Sequence, residues 1–425
     1  MTAPRAAVRG GVAIPVALWL VTRTLLVLTV FKVLLVPGQD VTPDVTSIYR
    51  GWSQVLSGGT FPLHDITWQY PPSAALAVLS PHLLPFLDYA TAFYLLCLLA
   101  DAVVTALLLY AGRRPGRRPA GAWVWVVGIP LLGPTAYARY DVMVTGVAVA
   151  GVLAAVRRPG VGGLLAGFGA TMKVWPVLLV AGVARGRRCR SAWGMTLVAM
   201  VGVAVAFSLT MPGALEFLTF QGERGTEVES LGSLVFHLAR HAGWGGRVAL
   251  NYGSMEFLGP WVPLVSDLAL TLTVMAFGWL LVWRWRAREF TPATVGDAAF
   301  TAVLLFTTTS RVISPQYMVW LVGLAAAALT VRGTRQSPSA VLVLLATAAT
   351  FWEFPVHFVD VVTSSWLGIT LLAVRNGLLV AACVVSCRRL WSATVEAPPA
   401  GAAPRRRGTV PGPSSEAPGP EVAAR

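Results

Sequence analysis

The chain has 425 residues, of which 56% are hydrophobic and only 12% charged. A soluble domain carries about 25% charged residues, so this chain cannot cover a wholly water-facing surface. With 33 Lys and Arg against 19 Asp and Glu and a formal charge of +14, these totals exclude a soluble globular enzyme, a disulfide scaffold and a fibre, and leave an integral membrane protein of many spans.

Apolar stretches recur in chain order at roughly 12–36, 73–87, 90–112, 121–134, 141–156, 161–184, 191–213, 261–283, 294–309, 316–331, 338–352 and 366–387. A span needs about 20 apolar residues, so several of these are short. Pro81 and Pro85 interrupt the second stretch, and Lys173, Trp175 and Pro176 interrupt the sixth. Both are expected to be re-entrant pieces or short hairpins. The first stretch is too long for a cleaved signal and reads as a span. After about 392 the chain turns Pro/Ala/Gly-rich and is expected to be a disordered tail. The expected organisation is thus a short N-terminus (1–11), a membrane domain (12–391) and a tail (392–425).

Arginines give the sidedness. They cluster at Arg113–Arg118, Arg157–Arg158, Arg185–Arg190, Arg284–Arg288, Arg332–Arg335 and Arg388–Arg389, always between apolar stretches. That scatter argues against nucleic acid as a partner. Cytoplasmic loops attract Lys and Arg, so these turns are placed inside, together with both termini. The acidic residues fall mostly on the other side, where two long loops, 37–72 and 214–260, hold most of the polar diversity. Cys97, Cys189, Cys383 and Cys387 have neither disulfide nor metal spacing and read as small fillers.

The first outer loop carries Ile48, Tyr49, Trp52, Val55 and Leu56 at helical spacing, the pattern of a short amphipathic helix at the interface. Asp44 at its start reads either as the cap of that helix or as a reactive carboxylate held at the membrane surface. The run Trp68–Pro72 then puts aromatics at headgroup depth. Arg139 and Asp141 sit on the next turn, where a solvated local ion pair is the ordinary reading. Lys173, with apolar neighbours on both sides, must reach water, a phosphate or a carboxylate; snorkelling and a functional role both fit. The second long loop brings Arg224, Glu227, Glu229, His237, Arg240 and His241. Later outer turns bring Arg311, Ser314, Gln316 and Tyr317, then Glu353, His357 and Asp360. Arg23, Asp101, Asp267 and Arg375 lie inside apolar runs, and Arg23 and Asp101 are candidates for a pair.

No Walker loop, dinucleotide fingerprint, HExxH, GxSxG or CxxC occurs, so no nucleotide, cofactor or tightly bound metal is indicated, although a divalent ion is not excluded. One chemistry fits carboxylates, cations and aromatics beside lipid. A lipid-phosphate-linked sugar brings its own activated bond and its own anchor. The enzyme then needs one carboxylate as general base and cations for the departing phosphate. The rival reading is a transporter or flippase of a lipid-linked sugar that uses the intramembrane charges; missing repeat symmetry argues against it.

Taken in order, Asp44, Tyr49, Gly58, QYPP at 69–72, MKVWP at 172–176, ERGTEVES at 223–230, SPQYMVW at 314–320 and Arg375–Asn376 resemble glycosyltransferase family 87 over about 12–390. The resemblance implies an all-α polytopic GT-C bundle of roughly 10–13 transmembrane or re-entrant helices in the plasma membrane, with its active site on the extracytoplasmic face. It implies inverting transfer of mannose from polyprenyl-phosphate mannose to a cell-envelope glycolipid or glycan, giving an α-mannoside; another sugar is the alternative. In that family type the base is an acid of the first outer loop. Asp44 matches best, with Asp40 as the alternative. Lys173, Arg224 and Arg311 become candidates for the donor phosphate, and Tyr49, Tyr70, Gln316, Tyr317 and His357 for sugar or lipid contacts.

Overall fold

The computed structural model describes residues 4–63, 65–220 and 225–396. Its fold is a helical, multi-pass bundle. Among the described residues, six helices are long and apolar enough to cross a membrane: α1 (Pro4–Val30), α4 (Tyr89–Gly112), α8 (Arg187–Thr210), α11 (Val262–Arg286), α14 (Ser337–Phe351, prolonged to Val356) and α16 (Trp366–Thr394). Between them run shorter helices. α2 (Arg50–Ser57) belongs to the 37–72 loop, α3 (Ala74–Leu79) opens the second apolar stretch, and α5 (Ala120–Gly128), α6 (Asp141–Ala155) and α7 (Pro159–Met172) follow α4. α9 (Phe217–Phe220) and α10 (Ser233–His241) lie in the second long loop. α12 (Pro292–Thr309) and α13 (Tyr317–Leu329) precede α14, and α15 (Phe358–Thr363) precedes α16.

α12 and α13 form the centre. Nearly every residue of both is buried, as expected for helices apolar all round. α13 has 13 residues, about 20 Å at 1.5 Å per residue, against roughly 30 Å of hydrocarbon. It therefore stops short of one membrane face, and the space at its N-terminal end belongs to the cavity described below.

Both interrupted stretches behave as expected. The second is α3 followed by one tight turn over 80–83. The sixth is α7, a reversal at Lys173, and a tight turn over 175–180 that heads back. α7 lies unusually close to α8 through Gly163 and Gly167, four residues apart. A Cβ at these positions would come within 2.0 Å of the Ala192 carbonyl oxygen and 2.3 Å of that of Thr196. Small residues at this spacing let two membrane helices touch backbone to backbone, and that contact fixes where Lys173 emerges.

The arginine turns gather at one pole. Arg118 Nε donates to Leu329 O at 3.0 Å, Arg332 Nε to Arg117 O at 2.9 Å, and Arg185 to Trp285 O at 2.8 Å. Leu329 ends α13 and Trp285 lies in the last turn of α11, so Arg118 and Arg185 are more than topological anchors: they donate to free carbonyls at helix C-termini.

The second long loop is more than a polar connection. It folds into a three-stranded antiparallel sheet ordered β1–β3–β2, from β1 (Thr226–Glu227), β2 (Arg247–Asn251) and β3 (Ser254–Leu258). Tyr252 and Gly253 turn the hairpin with φ of 48° and 77°, the two-residue geometry that matches strand twist. Phe257 packs against Phe236, Val228 and Val361, giving the loop its own small core. All four cysteines are free.

Candidate active site

Asp44 opens a wide helical turn over 44–49 that runs straight into α2. Val45, Tyr49, Trp52 and Leu56 face inward, while Ile48 and Val55 stay exposed, so the amphipathic helix leans on the protein with one edge only. Tyr49 sits 5.5 Å from the Phe93 ring and 5.9 Å from that of Tyr140. The Asp44 side chain does not cap this helix. Its Oδ2 pairs with Arg139 Nη2 at 2.6 Å, and the side chain remains 32% exposed.

Asp40 is placed apart. It pairs with Lys32 at 2.7 Å and accepts from Thr42. Burial works to raise its carboxyl, but the Lys32 and Thr42 hydrogen bonds outweigh it and hold the group below the usual range. Its carboxylate serves the turn after α1 and does not line the cavity that Asp44 faces.

Arg139 and Asp141 do not form the local solvated pair expected of them. Their turn is buried, and each reaches a different element. Arg139 goes to Asp44, whereas Asp141 Oδ1 accepts from Lys173 Nζ at 2.8 Å and from Trp320 Nε1 at 2.6 Å. Lys173 does not snorkel. It is 8% exposed and sits 5.1 Å from the ring centres of Tyr140 and Trp320, 5.4 Å from Tyr70 and 5.9 Å from Tyr317. Such rings attract a cation through their faces. Tyr317 and Trp175 each stack on Trp320, at 3.9 and 5.2 Å.

These groups enclose a cavity of about 200 Å³. Its lining includes Asp44, Tyr49, Trp52, Gln69, Tyr70, Lys173, Trp175, Ser314, Gln316, Tyr317 and Trp320, with Tyr252 and Gly253 of the hairpin at its edge. Beside it, three buried polar atoms have no hydrogen-bond partner among the described residues: Tyr49 Oη, Trp175 Nε1 and Asp141 Oδ2. Buried polar atoms usually find a partner in protein or water, so these three offer bonding capacity to a water or a substrate group at the cavity.

The far wall is held from behind. Glu227 accepts from Ile313 N at 2.6 Å and from Ser314 Oγ at 2.8 Å. Arg375 donates to Glu353 at 2.7 and 2.9 Å and to Ile313 O at 3.2 Å, and lies 3.6 Å from Glu229. Asn376 reaches Ser230 O at 3.3 Å. The ERGTEVES, SPQYMVW and Arg375–Asn376 motifs thus meet behind the 313–317 turn. His237, bonded to Ser364 and Val228 O, is pushed down to about 4 chiefly by burial, so it is a neutral strut at pH 7.

Not every candidate arrives at the cavity. Arg311 Nη1 lies 3.2 Å from Ser266 Oγ, and Arg311 is not among the lining residues. His357 pairs with Asp360 at 3.0 Å beside α15. Arg224 lies outside the described residues. Conversely, the sequence singled out neither Trp175 nor Trp320, although both stand inside motifs, and it did not show that Arg139 and Asp141 serve separate partners. Among the described residues, no three His, Cys, Asp or Glu side chains come together as a metal site.

The family profile of glycosyltransferase family 87 matches residues 68–315. The crystal structure of ArnT from Cupriavidus metallidurans bound to undecaprenyl phosphate is loosely similar, with 15% identity and a TM-score of 0.45 over 92% of this chain and 78% of that one. No curated protein matches.

Proposed function

The chain belongs to glycosyltransferase family 87, and from that membership we propose that it moves mannose from polyprenyl-phosphate mannose to a cell-envelope glycolipid or glycan, with inversion at the anomeric carbon. The observation that carries this reading is the Asp44 carboxylate. It is partly exposed on the cavity wall, oriented by Arg139 at 2.6 Å, in a cavity that also holds a lysine and a cluster of aromatic rings.

In this reading an acceptor hydroxyl gives its proton to Asp44 as its oxygen bonds to the anomeric carbon. The bond from that carbon to the phosphate oxygen breaks, and the electron pair leaves with the lipid phosphate. Lys173 has three N–H donors and uses one on Asp141, so two are left for the phosphate oxygens. Tyr49 Oη and Trp175 Nε1 supply donors for sugar hydroxyls. The enclosed space is smaller than the about 300–1,000 Å³ of a drug-sized site, which suits a single sugar ring with its lipid outside. In this reading the arginine turns face the cytoplasm, where the positive-inside preference favours them, with both termini on that side and the Asp44 cavity on the extracytoplasmic one.

The test is purified protein in lipid nanodiscs with radiolabelled polyprenyl-phosphate mannose and a lipid extract of the host envelope. The expected result is a new labelled glycolipid cleaved by an α-mannosidase. Labelled donor left untouched, while another polyprenyl-phosphate sugar is consumed, would replace mannose by that sugar.

A further inference from the structure

The helix that carries Asp44 has a second cleft on its other side. Across α2 from the Asp44 cavity lies a groove of about 320 Å³, lined by Arg50, Ser53, Gln54, His82, Pro85 and Tyr89 among others. Arg50 and Gln54, four residues apart, share a helix face, and both are exposed. Ser53 is buried and bonds His82 Nε2 at 3.1 Å, which ties the groove's floor to the turn after α3.

Two features of the groove point to an occupant. The Arg50 side chain has no ion pair or hydrogen bond with any described residue. The nearby carboxylate, Asp88, is engaged in capping α4 through Ala90 N and Thr91 N. The cation is therefore presented outward without a neutralising partner. The second feature is the turn that leads into α4, where Leu83 and Phe86 are 75% and 78% exposed. Apolar side chains that exposed at the start of a spanning helix belong among acyl chains, with the adjacent polar groups at headgroup depth.

We propose that this groove binds the phosphodiester headgroup of an anionic glycerophospholipid, drawn from the leaflet that borders the Asp44 cavity. Arg50 forks onto the phosphate oxygens, Gln54 and His82 bond the headgroup's polar rim, and Leu83 and Phe86 meet the first methylenes of its chains. A soluble anion would use the arginine and leave the two apolar side chains in water. An unpaired cation beside an exposed apolar turn matches an amphiphile with a negative head. Binding here does not depend on which sugar is moved, or on whether any is.

The test places the photoreactive residue p-benzoylphenylalanine at Leu87, on the groove's edge, in the full chain. The protein is reconstituted in vesicles of equal parts phosphatidylcholine and phosphatidylglycerol. After irradiation, mass spectrometry is expected to find adducts enriched in phosphatidylglycerol. Arg50→Gln should lower that enrichment by up to about tenfold, the scale of one charge-assisted contact, while Arg388→Gln at the opposite pole leaves it unchanged. If the Leu87 variant fails to fold, native mass spectrometry of Arg50→Gln should show one fewer retained phosphatidylglycerol than the unsubstituted chain. Four results overturn the proposal: adducts in bulk proportion, enrichment indifferent to Arg50→Gln, adducts to a second polypeptide, or displacement of the lipid by inorganic phosphate.

Discussion

Of the buried ion pairs among the described residues, Arg23–Asp101 and Lys173–Asp141 differ in what surrounds them. Arg23 and Asp101 are 1% and 0% exposed. Asp101 Oδ1 accepts from Trp19, Trp125 and Arg23, its Oδ2 accepts from Arg23 and Tyr137, and Arg23 Nη1 donates to Val126 O. Both carboxylate oxygens are used, and the cluster locks α1 to α4 and α5. Lys173 and Asp141 are almost as buried, yet Asp141 Oδ2 is left over and two orphan donors stand beside the same cavity. The first pair is closed and the second is open. A closed buried pair holds a fold together, whereas an open one keeps bonding capacity for a water or a ligand. The closed cluster also removes Arg23 and Asp101 from any transport pathway, since neither has bonding capacity to offer a passing solute.

This contrast can be broken by substitution. Arg23→Gln strands a carboxylate in the closed cluster, and removing one partner of a buried pair costs about 3–5 kcal/mol. Thermal unfolding in detergent should show that loss, and an unchanged melting temperature would refute the structural role. At the open pair, Lys173→Gln should act on the reaction instead. Donor KM is expected to rise by about ten- to a hundredfold, the scale of a charged hydrogen bond, with acceptor KM little changed; equal effects on both substrates would remove Lys173 from the phosphate. Trp175→Phe keeps a ring that can stack on Trp320 and removes the orphan N–H together with part of the indole. About fivefold lower kcat/KM follows from one lost neutral hydrogen bond, and no change would mean that the indole nitrogen meets no substrate.

The distribution of legible and illegible features follows from the range of the interactions. Span positions, the two interrupted stretches and the gathering of arginines depend on local hydropathy and charge, and a linear reading carries them. The carboxylate of the first outer loop was legible as a type of residue in a type of place. Which of Asp44 and Asp40 lines the cavity was not, because it turns on partners: Lys32 takes Asp40, while Arg139, far along the chain, takes Asp44. Lys173 was visible as a misplaced charge, but its cage is assembled from Tyr70, Tyr140, Tyr317 and Trp320 on separate elements, which no periodicity links. The outer sheet was missed because its strands are short and hide within a polar stretch. Their one local signal was the Asn251–Tyr252–Gly253–Ser254 turn between alternating apolar residues. Arg311 and His357 show the opposite case: neither lines the cavity, since charge at a turn need not point into it.

The central claim is that Asp44 receives the acceptor's proton. Its most direct test is the single-turnover rate of Asp44→Asn in nanodiscs with bound labelled donor, a change that keeps the side chain's size and its ability to accept a hydrogen bond from Arg139. The account expects the rate to fall by about 10²–10⁴-fold, the range for losing a general base, with donor binding and melting temperature as in the unsubstituted chain. Transfer at the unsubstituted rate in this variant would contradict it.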